Sequence, residues 1–344
     1  MGYFLGANEI DALLFDLSKR FRVYAPKRFP KEGRYSGTDL VRYAEVHRFA
    51  DIEWRQKSDF SMKDVLTPIQ QTLFYFTEDE FRESKGPDKP MLIFAHACDL
   101  NAQKVQDEMY LMNGGNIDPF YKRARDLARF VLMDCGGGDD TCFCVSMGTN
   151  KADNYAMAVK FFEKGMQCKV VDKDLDGYFE KYHRQDYEPS FVTENELKVT
   201  HPDIKSDTEL LALKKHEMWL EYNHRCISCG ACTVCCPTCT CFKARDVIWG
   251  DNPSVGERRR VEQSCEVPGY DQMAMQREMR PDPASRMRYK VLHKFHEHKA
   301  RFGHQMCVGC GRCIHRCPEF ISIAATVGKI NHALEDIRQK EAAQ

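Results

Sequence analysis

One cysteine motif occurs twice in this chain, and no other feature restricts the fold as strongly. Each copy has the spacing C-x2-C-x2-C-x3-C followed by proline, first at residues 226–237 and again at residues 307–318. This is the ligand pattern of bacterial-type [4Fe–4S] sites. Three closely spaced thiolates hold one cubane, and the fourth, next to a proline that ends the local turn, ligates the other cluster. The duplication therefore predicts two [4Fe–4S] clusters that exchange their fourth ligands.

The exchange assigns four cysteines to each cluster. The predicted ligands of cluster 1 are Cys226, Cys229, Cys232 and Cys317. The predicted ligands of cluster 2 are Cys307, Cys310, Cys313 and Cys236. Gly230 and Gly311 each follow the second cysteine of their motif, where the missing side chain lets backbone N–H groups approach the cluster sulfides. A zinc knuckle, whose ligands come as two separated pairs, fits this spacing poorly.

A second set of cysteines lies in the N-terminal half of the chain. Its members are Cys98, Cys135, Cys142 and Cys144. Cys98 follows a predicted strand, Cys135 precedes three glycines, and the other two lie on one side of a segment predicted to be extended. The spacing leaves two interpretations open, a third cluster or buried core thiols. We expect Cys168 to be structural, and Cys239 and Cys241 to pack near the clusters.

Composition and charge exclude several other classes of protein. A formal net charge of −1 over 344 residues lacks the basic footprint of a nucleic-acid-binding protein. No apolar stretch reaches the roughly 18 residues that a membrane span needs, and the N-terminus lacks the pattern of a signal peptide. Seventeen cysteines would indicate a disulfide scaffold only in a short secreted chain. We therefore expect a cytoplasmic protein with neither a nucleic acid nor a membrane as partner.

The expected fold class is α+β, with two regions that separate near residue 200. Residues 1–200 are predicted to form a mixed α/β domain, with a helix capped by Asn8 and strands at 91–95, 130–133 and 142–145. Residues 201–344 are predicted to form a mostly helical, ferredoxin-like dicluster domain. In this domain Ser206 begins a helix, and residues 272–302 form two helices. The segment 237–306 between the motifs is much longer than the connection in compact ferredoxins.

No other catalytic or cofactor-binding motif is present in the sequence. No G-x-G-x-x-G follows a predicted strand, and there is no P-loop. No cysteine belongs to an evident Cys–His arrangement with a third orienting residue. Because clusters exchange single electrons, a chain with clusters but no predicted substrate site or catalytic residue is expected to transfer electrons within an oxidoreductase.

The segment that precedes the second motif is rich in basic residues and histidine. We expect His293, His296 and His298 to lie on a solvated helix face rather than to bind a metal. For the lysines and arginines from Arg258 to Arg301, three interpretations stay open: an exposed surface, a docking site for an acidic partner, or compensation of the clusters' negative charge.

Over nearly its whole length the chain resembles the A-type, iron–sulfur subunits of the three-subunit anaerobic sulfite reductases. The segments that carry the resemblance are residues 97–99, 142–148, 226–241 and 307–318. The most restrictive of them is Cys142-Phe143-Cys144-Val145-Ser146-Met147-Gly148. More distantly, the chain is similar to the iron–sulfur beta subunits of soluble hydrogenases.

The resemblance implies a role and partners. In the sulfite reductase family, a flavin subunit oxidises NADH, an iron–sulfur subunit carries electrons, and a sirohaem subunit reduces sulfite to sulfide. The resemblance implies that this chain is the iron–sulfur subunit that carries electrons, with the flavin/NADH and sirohaem subunits as partners. It also favours the third cluster at Cys98, Cys135, Cys142 and Cys144. The alternative is the beta subunit of a soluble NiFe hydrogenase or sulfhydrogenase. An alternative of another class is a cluster-bearing regulator or scaffold.

Overall fold

The computed structural model describes residues 1–343, whose strands form two β-sheets. In chain order the strands are β1 (Gly2–Gly6), β2 (Arg22–Phe29), β3 (Leu40–Glu45), β4 (Gln70–Phe76), β5 (Phe81–Glu83), β6 (Met91–Ala95), β7 (Ala128–Met133), β8 (Met157–Phe162), β9 (Gly165–Val170), β10 (His183–Arg184), β11 (Phe242–Ile248) and β12 (Gly256–Glu262). The larger sheet has the order β10-β1-β9-β8-β7-β6-β2-β3, and the smaller has the order β11-β12-β4-β5.

The centre of the larger sheet is parallel. Strands β2, β6, β7 and β8 run parallel to their neighbours in this group, and the flanking pairs are antiparallel. All five residues of β6 are buried, as expected for a continuous apolar run covered on both faces. The strands predicted at 91–95 and 130–133 are therefore confirmed.

The helices surround this sheet and build the C-terminal region. In chain order they are α1 (Ala7–Ser18), α2 (Lys63–Leu66), α3 (Ala97–Asp107), α4 (Pro119–Asp126), α5 (Asp176–Phe179), α6 (Asp207–Lys215), α7 (Tyr222–Arg225), α8 (Ala231–Val234), α9 (Pro283–Leu292), α10 (His298–Phe302), α11 (Arg312–His315) and α12 (Ile323–Ala342). A π-helical turn at Glu108–Met112 extends α3, and another at His293–Glu297 joins α9 to α10. Within residues 1–343, no helix combines the length and hydrophobicity that crossing a bilayer requires.

Two helix starts can be compared with their predicted caps. Helix α1 buries its predicted apolar face but begins at Ala7, so the cap predicted at Asn8 is wrong. The Glu9 carboxylate instead accepts a hydrogen bond from the Gly6 N–H at 2.8 Å. Helix α6 begins as predicted, because the Ser206 hydroxyl accepts from the Glu209 N–H at 3.1 Å.

The segment 272–302 contains one continuous helical run rather than the two predicted helices. The run extends from Pro283 to Phe302 through the second π-helical turn. The Asp282 carboxylate caps it by accepting from the Ser285 N–H at 2.9 Å. Pro283 occupies the first helical position, where a missing N–H has no cost, so the prolines mark the start of the run and do not divide it.

The strand predicted at 142–145 is wrong, because residues 142–143 have no regular secondary structure and residues 144–148 form a turn. Its backbone pairs with the second cysteine motif and not with a strand: the Phe143 N–H donates to the Gly309 carbonyl at 2.8 Å. The sequence around Phe143 could not reveal a partner that lies so far along the chain.

The smaller sheet joins the two halves of the chain. Strand β12 pairs on one side with β11 and on the other with β4, which comes from the N-terminal half. One hydrophobic core lies against the larger sheet and α1, and another is formed mainly by α6, α9 and α12. The architecture is α+β, as predicted. The division at residue 200 stays a prediction, and strand pairing crosses it.

Candidate iron–sulfur sites

The two motifs adopt the same local conformation. In each, a glycine with positive φ precedes a one-turn helix that carries the third cysteine: Gly230 has φ +74° and Gly311 has φ +73°. Neither position has room for a side chain. A Cβ on Gly230 would lie 2.9 Å from the Ser264 Cβ, and one on Gly311 would collide with the Thr141 carbonyl. Close packing thus holds each loop in a conformation that glycine adopts readily.

One cavity gathers the thiols assigned to cluster 1. Its cysteine lining includes Cys226, Cys229, Cys232 and Cys317. Three of these come from the first motif and one from the end of the second, which is the exchange that the spacing predicts. Lys290 and Glu266 line the same cavity.

A neighbouring cavity gathers the thiols assigned to cluster 2. Its cysteine lining includes Cys236, Cys307, Cys310 and Cys313. The two cavities have Cys232, Cys313 and Lys290 in common. The structure therefore brings both predicted ligand sets together next to each other, while their role as iron ligands stays a prediction.

A third cavity, of about 570 Å³, gathers the N-terminal cysteines. Its lining includes Cys98, Cys135, Cys142 and Cys144. Cys98 and Cys135 follow β6 and β7, which are adjacent and parallel, so both thiols lie at the carboxyl edge of the sheet. Cys310 of the second motif also lines this cavity.

Lys57 links the third cavity to the second motif. Its Nζ donates to the Cys310 carbonyl at 2.7 Å, lies 2.7 Å from the Asp139 carboxylate and 3.4 Å from the Cys142 sulfur. The backbones are equally close, because a Cβ on Gly309 would lie 2.6 Å from the carbonyl carbon of Phe143. Sequence reasoning missed Lys57, whose position depends on contacts with two distant segments.

The buried thiols of the third cavity would need a cation in order to ionise. Burial raises the pKa of Cys144 to about 11 and raises the pKa of Cys98 and Cys142 above the ordinary value. Thiols in this environment stay protonated unless a strong positive charge stabilises the thiolate. Metal coordination provides such a charge and deprotonates the thiol.

Two buried lysines of the α9–α10 run face the motif cavities. Lys290 and Lys294 are both buried, and the Lys294 Nζ donates to the Thr238 hydroxyl at 2.9 Å. Burial alone would raise the pKa of Cys236, but Lys294 and hydrogen bonds from Thr238 lower it to about 7. Of the three interpretations of the basic segment, charge compensation therefore fits these two lysines. The sequence does contain a signal for the burial of these lysines: their helical spacing from the apolar Met287 and Val291 places them on the buried face of the helix.

A buried ion pair connects the second motif to Cys98. Arg312, between Cys310 and Cys313, forms a two-pronged pair with Asp99: the Nη1–Oδ1 distance is 2.6 Å and the Nη2–Oδ2 distance is 2.8 Å. Its Nε and Nη2 also donate to the carbonyl and hydroxyl of Ser58, both at 3.0 Å. The side chains of Arg312 and Asp99 are 1% and 0% exposed. Neither residue could be identified from its local sequence.

The remaining cysteines lie outside these three ligand sets. Cys168 is buried in the N-terminal core, as expected, and burial raises its pKa to about 12. Cys239 and Cys241 line a separate cavity with Lys63 and Glu262.

The expected solvated histidine face is wrong for His298. His293 and His296 are partly exposed, whereas His298 is 2% exposed and packs on Phe302 with ring centroids 4.8 Å apart. The π-helical turn before His298 adds a residue to that turn and rotates the following side chains relative to a regular helix.

Comparison with known proteins agrees with this arrangement. Residues 225–321, which contain both motifs, match the family described as "4Fe-4S dicluster domain". These residues form a 4Fe-4S dicluster domain, as predicted. The chain is also 28% identical over 331 residues to the protein named "Sulfhydrogenase 2 subunit beta" of Pyrococcus furiosus, with 89% of this chain and 95% of that protein covered. This similarity supports the predicted relationship to hydrogenase beta subunits better than the one to the iron–sulfur subunits of sulfite reductases.

Proposed function

We propose that this chain is the electron-transfer subunit of a multi-subunit oxidoreductase and carries electrons through bound [4Fe–4S] clusters. The observation that supports the proposal is the row of three adjoining cysteine cavities. The first and second have Cys232 and Cys313 in common, and the second and third have Cys310 in common. Electrons passing between the outer cavities would therefore cross the middle one.

Different residues of the chain would have different functions in such a relay. Cysteines from the two motifs would hold clusters 1 and 2, and the N-terminal set would hold the third. When bound, the clusters supply reversible one-electron chemistry whose potential depends on charge, hydrogen bonds and solvent exposure. Lys290 and Lys294 bring positive charge to the motif cavities, and apolar side chains such as Phe143 and Ile323 line the second cavity and restrict water.

We propose that the partner is a catalytic subunit of the hydrogenase type. The support is the similarity to a sulfhydrogenase beta subunit, which extends along most of both chains. The sulfite reductase hypothesis depends on the sequence resemblance and predicts flavin/NADH and sirohaem subunits instead. Co-purification of the tagged chain from its native cells distinguishes the two: nickel in the complex supports the hydrogenase hypothesis, and a sirohaem absorbance spectrum supports the other. A chain isolated without any catalytic subunit would favour a regulator or scaffold.

Iron analysis of anaerobically purified protein tests the relay directly. About eight irons per chain correspond to two cubanes, and about twelve to three. We expect Cys229→Ser and Cys98→Ser each to reduce the iron content by about four. Cys168→Ser, which changes a buried thiol outside the cavities, should leave it unchanged.

Turnover of the complex provides the second test. Electron transfer through the complex should stop in Cys229→Ser and continue in Cys168→Ser. Colourless protein, zinc in place of iron, or undiminished turnover in Cys229→Ser would contradict the proposal.

A further inference from the structure

Three potential metal ligands converge outside the cysteine cavities, where the N-terminal region meets the dicluster domain. They are Glu108, in the π-helical turn after α3, and His298 and His304, at the start of α10 and just after its end. The Glu108 carboxylate lies 2.7 Å from the Nε2 of His304 and 3.2 Å from the Nε2 of His298. One ligand atom from each residue can be chosen so that all three lie within 4.8 Å of one another.

The hydrogen bonds of the two imidazoles define which nitrogens are free. The Nδ1 of His298 lies 3.0 Å from the His304 carbonyl, and the Nδ1 of His304 lies 3.1 Å from the Gln305 carbonyl. Because a carbonyl oxygen only accepts, this network assigns the ring proton to Nδ1 in both residues. In the neutral imidazoles, both Nε2 lone pairs then face the oxygens of one carboxylate. Such a group of acceptors attracts a cation, which can be a proton on one imidazole or a metal ion shared by all three side chains.

The burial of these polar atoms strengthens the argument for a metal ion. His298 is 2% exposed, and within the part of the chain that the structure describes neither its Nε2 nor the Oε2 of Glu108 has a hydrogen-bond partner. Buried polar atoms without partners are rare and costly. A proton on His304 alone would pair it with Glu108 and leave the buried Nε2 of His298 without a hydrogen-bond partner, and protons on both histidines would place two positive charges beside a single carboxylate. One divalent cation satisfies all three side chains at once.

We propose that Glu108, His298 and His304 bind one divalent first-row transition-metal ion, with zinc as the reference ion. Two imidazole nitrogens and one carboxylate oxygen are a donor set that zinc and ferrous iron accept. The Nδ1–H groups bonded to carbonyl oxygens provide the outer hydrogen bonds that orient metal-binding histidines. The His304 side chain is 48% exposed, which gives the ion a route in and leaves room for a solvent ligand.

The location indicates what the ion would do. Glu108 continues the helix that begins next to Cys98, and His304 lies three residues before Cys307. A shared ion would therefore cross-link the helix of the third cavity to the start of the second motif. The inference does not depend on the proposed function, because none of its ligands is a cysteine.

Zinc binding to the cluster-loaded, full-length chain tests the proposal. The anaerobic protein is equilibrated with zinc chloride and desalted, and zinc and iron are then measured by mass spectrometry. We expect about one zinc per chain, and at least a tenfold loss of bound zinc in both His304→Ala and Glu108→Gln, with the iron content unchanged. His332→Ala is the matched control, since His332 is exposed and lies 3.6 Å from Glu335. It should bind zinc like the unaltered chain.

X-ray absorption at the zinc edge identifies the ligands. We expect a first shell of nitrogen and oxygen at about 2.0–2.1 Å, without sulfur at about 2.3 Å. The proposal is overturned if the unaltered chain retains no zinc, if the bound zinc has sulfur ligands, or if His304→Ala binds it as well as His332→Ala does. Failure of the iron analysis alone would refute the electron-transfer function and leave this site standing.

Discussion

Replacing Asp99 with asparagine should loosen the attachment of the second cysteine motif to the N-terminal region. The substitution keeps the shape of the side chain and removes its negative charge. Arg312 would then keep its hydrogen bonds to Ser58 but lose the carboxylate that neutralises its guanidinium. Because neither side chain of the pair is more than 1% exposed, water cannot replace the lost partner.

The size of the effect follows from this burial. Removing one partner of a buried ion pair costs about 3–5 kcal/mol, which corresponds to roughly two to four orders of magnitude in an equilibrium constant. Ser58→Ala is the matched control. It removes one acceptor of the charged guanidinium and leaves the Asp99 pair intact, so we expect a smaller loss of about 1.5–3 kcal/mol.

Native-state proteolysis measures local opening near the second motif. It does not require complete unfolding of the chain, which would release the clusters. When opening and closing are fast relative to cleavage, the cleavage rate follows the population of the open form. In anaerobic, cluster-loaded protein, the cleavage rate near the second motif should rise at least about a hundredfold in Asp99→Asn. It should rise less in Ser58→Ala, by roughly ten- to a hundredfold.

A double replacement distinguishes the effect of an unpaired buried charge from non-specific destabilisation. Asp99→Leu combined with Arg312→Met removes both charges and should be cleaved more slowly than Asp99→Asn, because no unpaired charge remains. If Asp99→Asn is cleaved no faster than Ser58→Ala, the pair does not hold the motif and this reasoning is refuted.

Three further substitutions probe the cavities and the electrostatics of the fold. Lys294→Met should lower the reduction potential of cluster 2, on the order of 100 mV, because it removes a buried positive charge from the lining of that cavity. A redox titration followed by electron paramagnetic resonance would refute this by showing no decrease. Burial raises the pKa of Asp64 from 3.8 to about 6, so the folded state binds the proton more tightly and stability falls as pH rises from about 4 to 6. Asp64→Asn should remove that decrease and gain up to about 3 kcal/mol above pH 6, which melting temperatures between pH 4 and 7 would check. Gly311→Ala, whose Cβ would meet the Thr141 carbonyl, should reduce bound iron by about four per chain, whereas Gly328→Ala, with open space around its Cβ in α12, should leave bound iron unchanged.

Local sequence was sufficient where the interacting residues lie close together along the chain. The motif spacing predicted which thiols converge, because three of each four lie in one short loop. The apolar run at 91–95 predicted a buried strand, and the pattern after Ser206 predicted a capped helix. The strand and the capped helix depend on contacts within a few residues, so periodicity and capping rules apply to them directly. The fourth thiol of each set comes from the other motif and was assigned from the duplication.

Long-range contacts account for what local sequence could not predict. The apolar character of residues 142–145 favours a strand, but the Phe143 backbone pairs with Gly309. His298 lies in a sequence typical of an exposed basic helix, and a π-helical turn precedes its buried position. Arg312 and Lys57 depend on partners in distant segments. In all these cases tertiary contacts outweigh local preference.

The three cavities also differ in their access to solvent, and this difference gives the proposed relay two ends. In the first cavity Cys229 is exposed, as is the neighbouring Ile227. The third is bordered by the exposed Gly136 and Gly138. Between them, Cys310 is buried and held by Lys57. Because electron transfer between proteins needs close approach, donor and acceptor subunits would dock at these two exposed ends, and the buried ion pair of Arg312 would keep the middle cavity aligned with both.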